Sequence, residues 1–347
     1  MIDLSTKYMG FNLCSPLILG SCGLTKDLSN LKKAEECGFG AVTLKSIFEE
    51  EIRNDVNSIL NNDDASMYKQ AYDYVAQYQE MASAYKYLEL IHTATHTLSI
   101  PVIASINCAT PSGWTKYAKM IEEAGAKALE INYFILPTDL EKDANAYMKS
   151  YLELIENLKG TIDIPFGLKI STYFTDMSHA LQQLSYTGIS SLIMFNRFYA
   201  PDINIDKMEF SSTGMDGHES ELSNTLRWTG LLSSKLRCDL SATTGVHNSK
   251  GLIKLLLAGA NSVQAASVFY QNGIEYGAVM ATKGEFSKRA FINGKMSMDQ
   301  AEGIMDLINA ESDMQAKMGS SLLQGKLKNY IEENQNKLTD LLAEMEA

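Results

Sequence analysis

Lysines and amides recur where apolar runs of this sequence stop. Lys45 follows AVTL, Asn132 ends KALEIN, Lys169 lies in GLKIS, and Asn196 with Arg197 closes LIMFNR. Ammonium, guanidinium and carboxamide groups at the ends of buried runs need partners, and a bound polar ligand would supply them. Arg197 adds a planar fork suited to a carboxylate or another anion; pairing with one of the chain's many acidic side chains suits it equally. A second group is small rather than charged. SATTGVHNSKG contains Thr244 and Gly245, and QAASVFYQNG contains Ala266 and Ser267. Small side chains let a phosphate approach backbone N–H groups at a helix start. Tight turning also uses Gly and Thr, so the phosphate reading competes with an ordinary turn.

Other reactive side chains are weaker candidates. Cys108, in INCATPSGW, is the best-placed thiol for a general base, with Tyr133 and Tyr173 as alternatives. A base needs hydrogen-bond reach before it needs a tuned pKa, and a lone cysteine after a strand is usually a small buried apolar residue. His92 and His96 stand one helical turn apart, a spacing open to metal, but no third ligand is evident and packing or surface is expected. The acidic run Glu49–Glu51 reads as a solvated turn.

The elements that must position these residues are short apolar runs, each followed by a helical pattern. The runs are SPLILGS (15–21), AVTLKS (41–46), PVIASI (101–106), KALEINY (127–133), PFGLKIS (165–171), SSLIMFNR (190–197), CDLSATTG (238–245) and SVQAAS (262–267). Runs that are apolar on both faces and alternate with helices imply a parallel sheet covered on both sides. Eight such units favour a closed (β/α)8 TIM barrel over an open doubly wound sheet, and no GxGxxG follows the first run. In such a barrel the C-terminal strand ends carry the chemistry, and the loops after strands seven and eight commonly hold phosphate.

Three segments exceed what the barrel needs. Residues 47–98 and 198–220 read as insertions at the mouth, the second with alternating DINIDKMEF over it. Residues 284–347 read as a C-terminal helical extension packed on the barrel by one face. The expected domains are therefore 1–283 and 284–347.

The totals narrow the function classes. The chain has 347 residues, 45% of them apolar and 21% charged, enough for a core without disulfides or structural metal. A net charge of −12 argues against a nucleic-acid surface, and neither a nucleic-acid nor a membrane partner is expected. Five scattered cysteines without a CxxC pair fit free thiols in a reducing compartment. The first residues lack a signal-peptide core, and no apolar run is long enough to span a bilayer. A cytoplasmic location is expected.

From Ser15 to about Ala281 the chain resembles the FMN-dependent dihydroorotate dehydrogenase family, in its divergent dihydroorotate dehydrogenase-like group. The resemblance rests on SPLILGSCG, LKS around Lys45, PVIASI, the Asn132 strand, GLKIS, Phe195–Asn196, and TTGV followed by LLAGANSVQAAS. It implies that Cys22 and Ser46 lie by the flavin, with Lys45 near its reactive edge and the substrate. It implies that Asn132 and Lys169 bond the isoalloxazine ring, and that Phe195 and Asn196 lie between flavin and substrate. Thr244, Gly245, Ala266 and Ser267 would hold the FMN phosphate, and Lys169 would stabilise negative charge on the reduced ring.

The departure from that family lies after Asn132. Where its members carry a Cys- or Ser-based catalytic run ending in a second Asn, this chain has Tyr133, Phe134, Ile135, Leu136 and Pro137. The expected activity is an FMN oxidoreductase taking dihydroorotate to orotate in pyrimidine biosynthesis, or acting on a related cyclic amide or unsaturated acid. A second electron acceptor would reoxidise the flavin, and the resemblance implies a homodimer. Arg197, together with Lys45, Asn132 and Asn196, would hold the substrate. Two alternatives stand beside it: a phosphate-binding barrel lyase with Lys45 or Lys169 as Schiff base, and a flavin-binding barrel that has lost catalysis.

Overall fold

A computed structural model describes residues 3–50, 84–133, 135–197, 201–205, 207–212 and 217–276, with isolated positions 300, 314, 315 and 320. The chain divides into two compact units, Met1–Ala278 and Val279–Ala347.

The first unit is built around a ring of parallel strands. In ring order these are β3 (Leu17–Leu19), β4 (Ala41–Thr43), β6 (Val102–Asn107), β7 (Ala128–Asn132), β8 (Phe166–Ile170), β9 (Ser191–Met194), β12 (Asp239–Ala242) and β13 (Ser262–Ala265). The pairing of β13 with β3 and of β4 with β6 closes the sheet on itself. A short β5 (Ile47–Phe48) lies parallel beside the end of β6. These runs are rich in Val, Ile and Leu because both faces are covered.

Covering the outer face are α1 (Leu28–Glu36), α2 (Pro111–Glu123), α3 (Ala144–Lys159), α4 (Met177–Ser185), α5 (Leu222–Leu232) and α6 (Ser249–Leu257), with helical residues 84–97 and a short α7 (Ser267–Asn272). Their starts are chemically marked. The side chains of Thr110, Asp143, Asp176 and Asn248 each accept the N–H three residues on, which satisfies a donor that the first helical turn leaves orphaned. On α2 the buried Trp114, Tyr117, Ala118 and Ile121 repeat at helical spacing and meet the strands.

The apolar core has two parts. The larger fills the layer between strands and helices, where Ile131, Leu168 and Leu192 point outward. The smaller plugs the base of the ring, where Ile18, Ala41, Ile103 and Ala128 meet Tyr8, Met9 and Leu13. Those last residues belong to an antiparallel hairpin of β1 (Thr6–Tyr8) and β2 (Phe11–Leu13).

Above this plug the interior turns polar. Thr43, Ser105, Glu130, Ser191, Ser241, Ser262 and Gln264 are all buried there. Gly167 is needed at its position, because a Cβ there would run into Ser191 Oγ of the neighbouring strand.

Of the extra segments, residues 51–83 lie outside the described residues, as does the expected helical extension apart from isolated positions. After β9 the DINIDKMEF stretch takes part in an antiparallel hairpin of β10 (Pro201–Asn204) and β11 (Glu209–Ser212). Its Ile203, Met208 and Phe210 are exposed. Among the described residues no helix is long and apolar enough to cross a membrane.

Candidate functional site

A small cavity of about 150 Å³ opens at the C-terminal ends of β8, β9, β12 and β13. Parity along each strand decides what reaches it. In register, Asn132 lies opposite Lys169, and Lys169 lies opposite Ile193. Glu130, two residues before Asn132, therefore points inward as well. Its carboxylate accepts from Lys169 Nζ at 3.2 Å and from Gln264 Nε2 at 2.8 Å. Lys169 and Gln264 both line the cavity, so a buried Lys–Glu–Gln chain forms its floor. Gln264 Oε1 is buried and makes no hydrogen bond among the described residues.

The wall comes from the loops after β12 and β13. Thr244 (φ 79°) and Gly245 (φ 80°) both adopt the left-handed conformation. Thr244 Oγ1 donates to the Phe195 carbonyl at 2.7 Å, which fixes the turn against β9. At Gly245 a side chain is excluded, because its Cβ would meet the backbone of Leu222 at the start of α5. On the opposite side, Ser267 Oγ accepts from Gly217 N at 3.1 Å.

The rim carries Arg197. Its Nε donates to Glu221 Oε1 at 3.0 Å, while Glu221 Oε2 accepts from His218 N at 2.7 Å. The carboxylate thus holds the guanidinium and a backbone amide at once. Asn196 Nδ2 donates to Asn132 Oδ1 at 2.9 Å, which connects Asn132 to the cavity one residue removed. Lysine, arginine, a hydroxyl and a left-handed Thr–Gly turn around so small a volume suit an anion of phosphate size.

The expected residues divide on this geometry. Lys169, Phe195, Asn196, Arg197, Thr244, Gly245, Ala266 and Ser267 line one cavity. Lys45 is half-buried with Nζ 5.5 Å from the Phe48 ring centre, and it does not line that cavity. Ser46 bonds Ser105 Oγ at 2.7 Å and stands outside the lining too. Cys22 starts the turn after β3, where burial pushes its thiol up against weaker backbone hydrogen bonds. Cys108 is buried in the core between sheet and helices, away from the cavity.

Sequence reasoning passed over Ser21, Glu130, Glu221, His247 and Gln264. For Glu130 a signal existed, since a charged residue two positions before Asn132 shares its face of the strand. Glu49 is a clear misreading. It is 3% exposed rather than solvated, and its carboxylate accepts from Ala109 N, Thr110 N and Thr110 Oγ1 at 2.6–2.9 Å. It anchors the loop that leads into α2.

His92 and His96 stack with ring centres 4.2 Å apart. No cluster of three or more His, Cys, Asp or Glu suited to a metal occurs among the described residues.

Comparison with known proteins gives a different direction from the resemblance. Residues 298–347 match the model of the MnmE helical domain. Two relatives are the tRNA modification GTPase MnmE of Acetivibrio thermocellus, 45% identical over 73 residues, and that of Staphylococcus aureus, 39% identical over 71 residues. The first alignment takes in 21% of this chain, the second 20%, and each covers 16% of the relative. The chain thus spans about a sixth of the length of the curated relatives it matches.

These matches overturn the dihydroorotate dehydrogenase recognition and what hung on it. The expected oxidation of dihydroorotate, the oxidoreductase and pyrimidine-biosynthesis assignments, and both alternatives are corrected, because the matched relatives are tRNA modification GTPases. FMN falls with them. The fold assignment is corrected for the chain as a whole. Residues 298–347, taken as an appendage of an FMN TIM barrel, resemble the helical domain of a GTPase family. The partner expectation changes likewise: the relatives' name refers to tRNA, against a homodimer with an electron acceptor and no nucleic acid.

Proposed function

We propose that this chain serves tRNA modification, with an MnmE-like helical segment at its C-terminus and a phosphate-accepting site at the mouth of its first unit. The observation that carries the first part is the match over residues 298–347. The second part is supported by Lys169, Arg197, Ser267 and the Thr244–Gly245 turn around one cavity of phosphate size.

In this reading the two roles divide near the expected boundary, with residues 1–283 holding the small anion and 284–347 directed to tRNA. A cytoplasmic location belongs to the same proposal. The GTPase activity of the relatives is not carried over. It needs a phosphate loop such as G-x4-G-K-[ST], and no such run occurs in these 347 residues.

The chemistry proposed for the mouth is anion capture. Lys169 brings a positive charge to the floor, held by Glu130, whose other oxygen accepts from Gln264. Arg197 closes the rim, its orientation fixed by Glu221. Asn132 and Asn196 stand as a bonded amide pair beside it, whereas Cys22, Lys45, Ser46 and Cys108 do not line the cavity.

Phosphorus NMR of inorganic phosphate titrated with the full chain tests the site. The wild type should broaden and shift the phosphate line. Arg197→Ala should weaken binding by roughly 10- to 150-fold, in line with the roughly 1.5–3 kcal/mol of a charge-assisted hydrogen bond. An unshifted line at all protein concentrations would remove the anion site.

A further inference from the structure

A second and larger cavity, about 480 Å³, lies outside the ring between α3 and α4, under the loops that follow β7 and β8. Its volume is in the range of pockets that enclose a small molecule, and no part of the anion site enters it. Its inner surface is apolar and aromatic, made by Ile135, Met148, Tyr151, Phe174 and Ala180.

The aromatic rings there are held by a packed series. Trp114 meets Tyr133 edge-on at 5.4 Å, Tyr133 meets Tyr151 at 4.9 Å, and Tyr151 meets Phe174 at 5.6 Å with planes tilted by 36°. Tyr151 is 2% exposed and Trp114 4%, so that end of the series is anchored in the core. Phe174, at the other end, is half-buried and lines the cavity.

The rim is polar but nearly balanced in charge. Lys142 is paired with Asp139 at 3.2 Å. Asp176 is engaged through Oδ1 as the cap of α4. Beside Thr175 and His179, the rim carries two carboxamides, Asn145 on α3 and Gln183 on α4. Both are exposed, and neither side chain makes a hydrogen bond among the described residues. A carboxamide presents a donor beside an acceptor, which complements the edge of a heterocycle that does the same. Aromatic rings meanwhile stack on planar bases whatever their sequence.

We infer that this cavity is a ligand site for a neutral planar heterocycle of nucleobase type, stacked against Phe174 and read at its edge by Asn145 and Gln183. A free nucleoside and an unpaired base of a single-stranded RNA share that chemistry. Binding of the first does not depend on the tRNA reading above.

The test is a titration of the full chain with adenosine, guanosine, cytidine and uridine, read by saturation-transfer NMR, and with a short single-stranded RNA read by anisotropy. Wild type should bind at least one nucleoside. Phe174→Ala should weaken it about tenfold, in line with the ~1–3 kcal/mol of base stacking on an aromatic ring. Asn145→Trp, which fills the exposed rim without touching the core, should abolish it. Arg197→Ala, at the other cavity, should leave it unchanged, so failure of the anion site and of this one are separable. RNA bound with the same variant pattern would assign the site to a base in a strand; nucleosides alone would assign it to a metabolite. No nucleoside or RNA binding by wild type, or binding indifferent to both Phe174→Ala and Asn145→Trp, would overturn the inference.

Discussion

At the scale of single residues, buried polar groups hold the site together. Lys169 and Glu130 have side chains only 11% and 2% exposed, and each is the other's charge partner. Removing one side of such a pair leaves an uncompensated buried charge, at a cost of about 3–5 kcal/mol. Lys169→Met should therefore lower the urea midpoint substantially, somewhat relieved because Gln264 Nε2 still donates to Glu130. An unchanged midpoint would show that the pair does not hold the floor of the cavity. Lys169 and Asn132 were legible in the sequence because charged or amide residues on apolar runs are conspicuous. Glu130 and Gln264 have the same character, but their value appears only when strands distant in sequence place them together. Glu49 was misread because nothing local shows that a helix start sixty residues later will take up its carboxylate.

Helices and strands were more legible than their contacts. The apolar runs place the ring strands to within a few residues, since both-sided burial leaves its mark on composition. Caps are equally local: Asp143 accepts from Ala146 N at 2.8 Å, and Asp143→Ala should cost about 1 kcal/mol in a denaturant titration. Contacts between elements were not legible. Glu35, on α1, accepts from Ser99 N and Ser99 Oγ and, more weakly, Ile100 N, tying the helix to the segment before β6. The hydrogen bond from the Ser99 side chain is the chief cause that lowers its pKa, burial opposing it. A lowered carboxylate stabilises the fold above its unfolded value, near 4.5, and that gain disappears as pH falls through the folded value. The melting-temperature gap between wild type and Glu35→Gln should thus be open at neutral pH and close in acid. A gap independent of pH would contradict this assignment.

For the whole molecule, charge and similarity pull in different directions. A net charge of −12 repels a polyanion, yet residues 298–347 resemble the helical domain of proteins named for tRNA modification. Sequence pattern alone did not identify that segment, since a charged amphipathic stretch has the same composition in many families. If tRNA binds despite the overall charge, few phosphates can be neutralised, and the affinity should fall only shallowly with salt.

The most direct measurement is the anisotropy of fluorescently labelled tRNA titrated with the full chain at several salt concentrations. A saturable rise in the micromolar range, weakening gently as salt increases, is the predicted result. A flat signal at low salt would contradict the proposal that this chain serves tRNA modification.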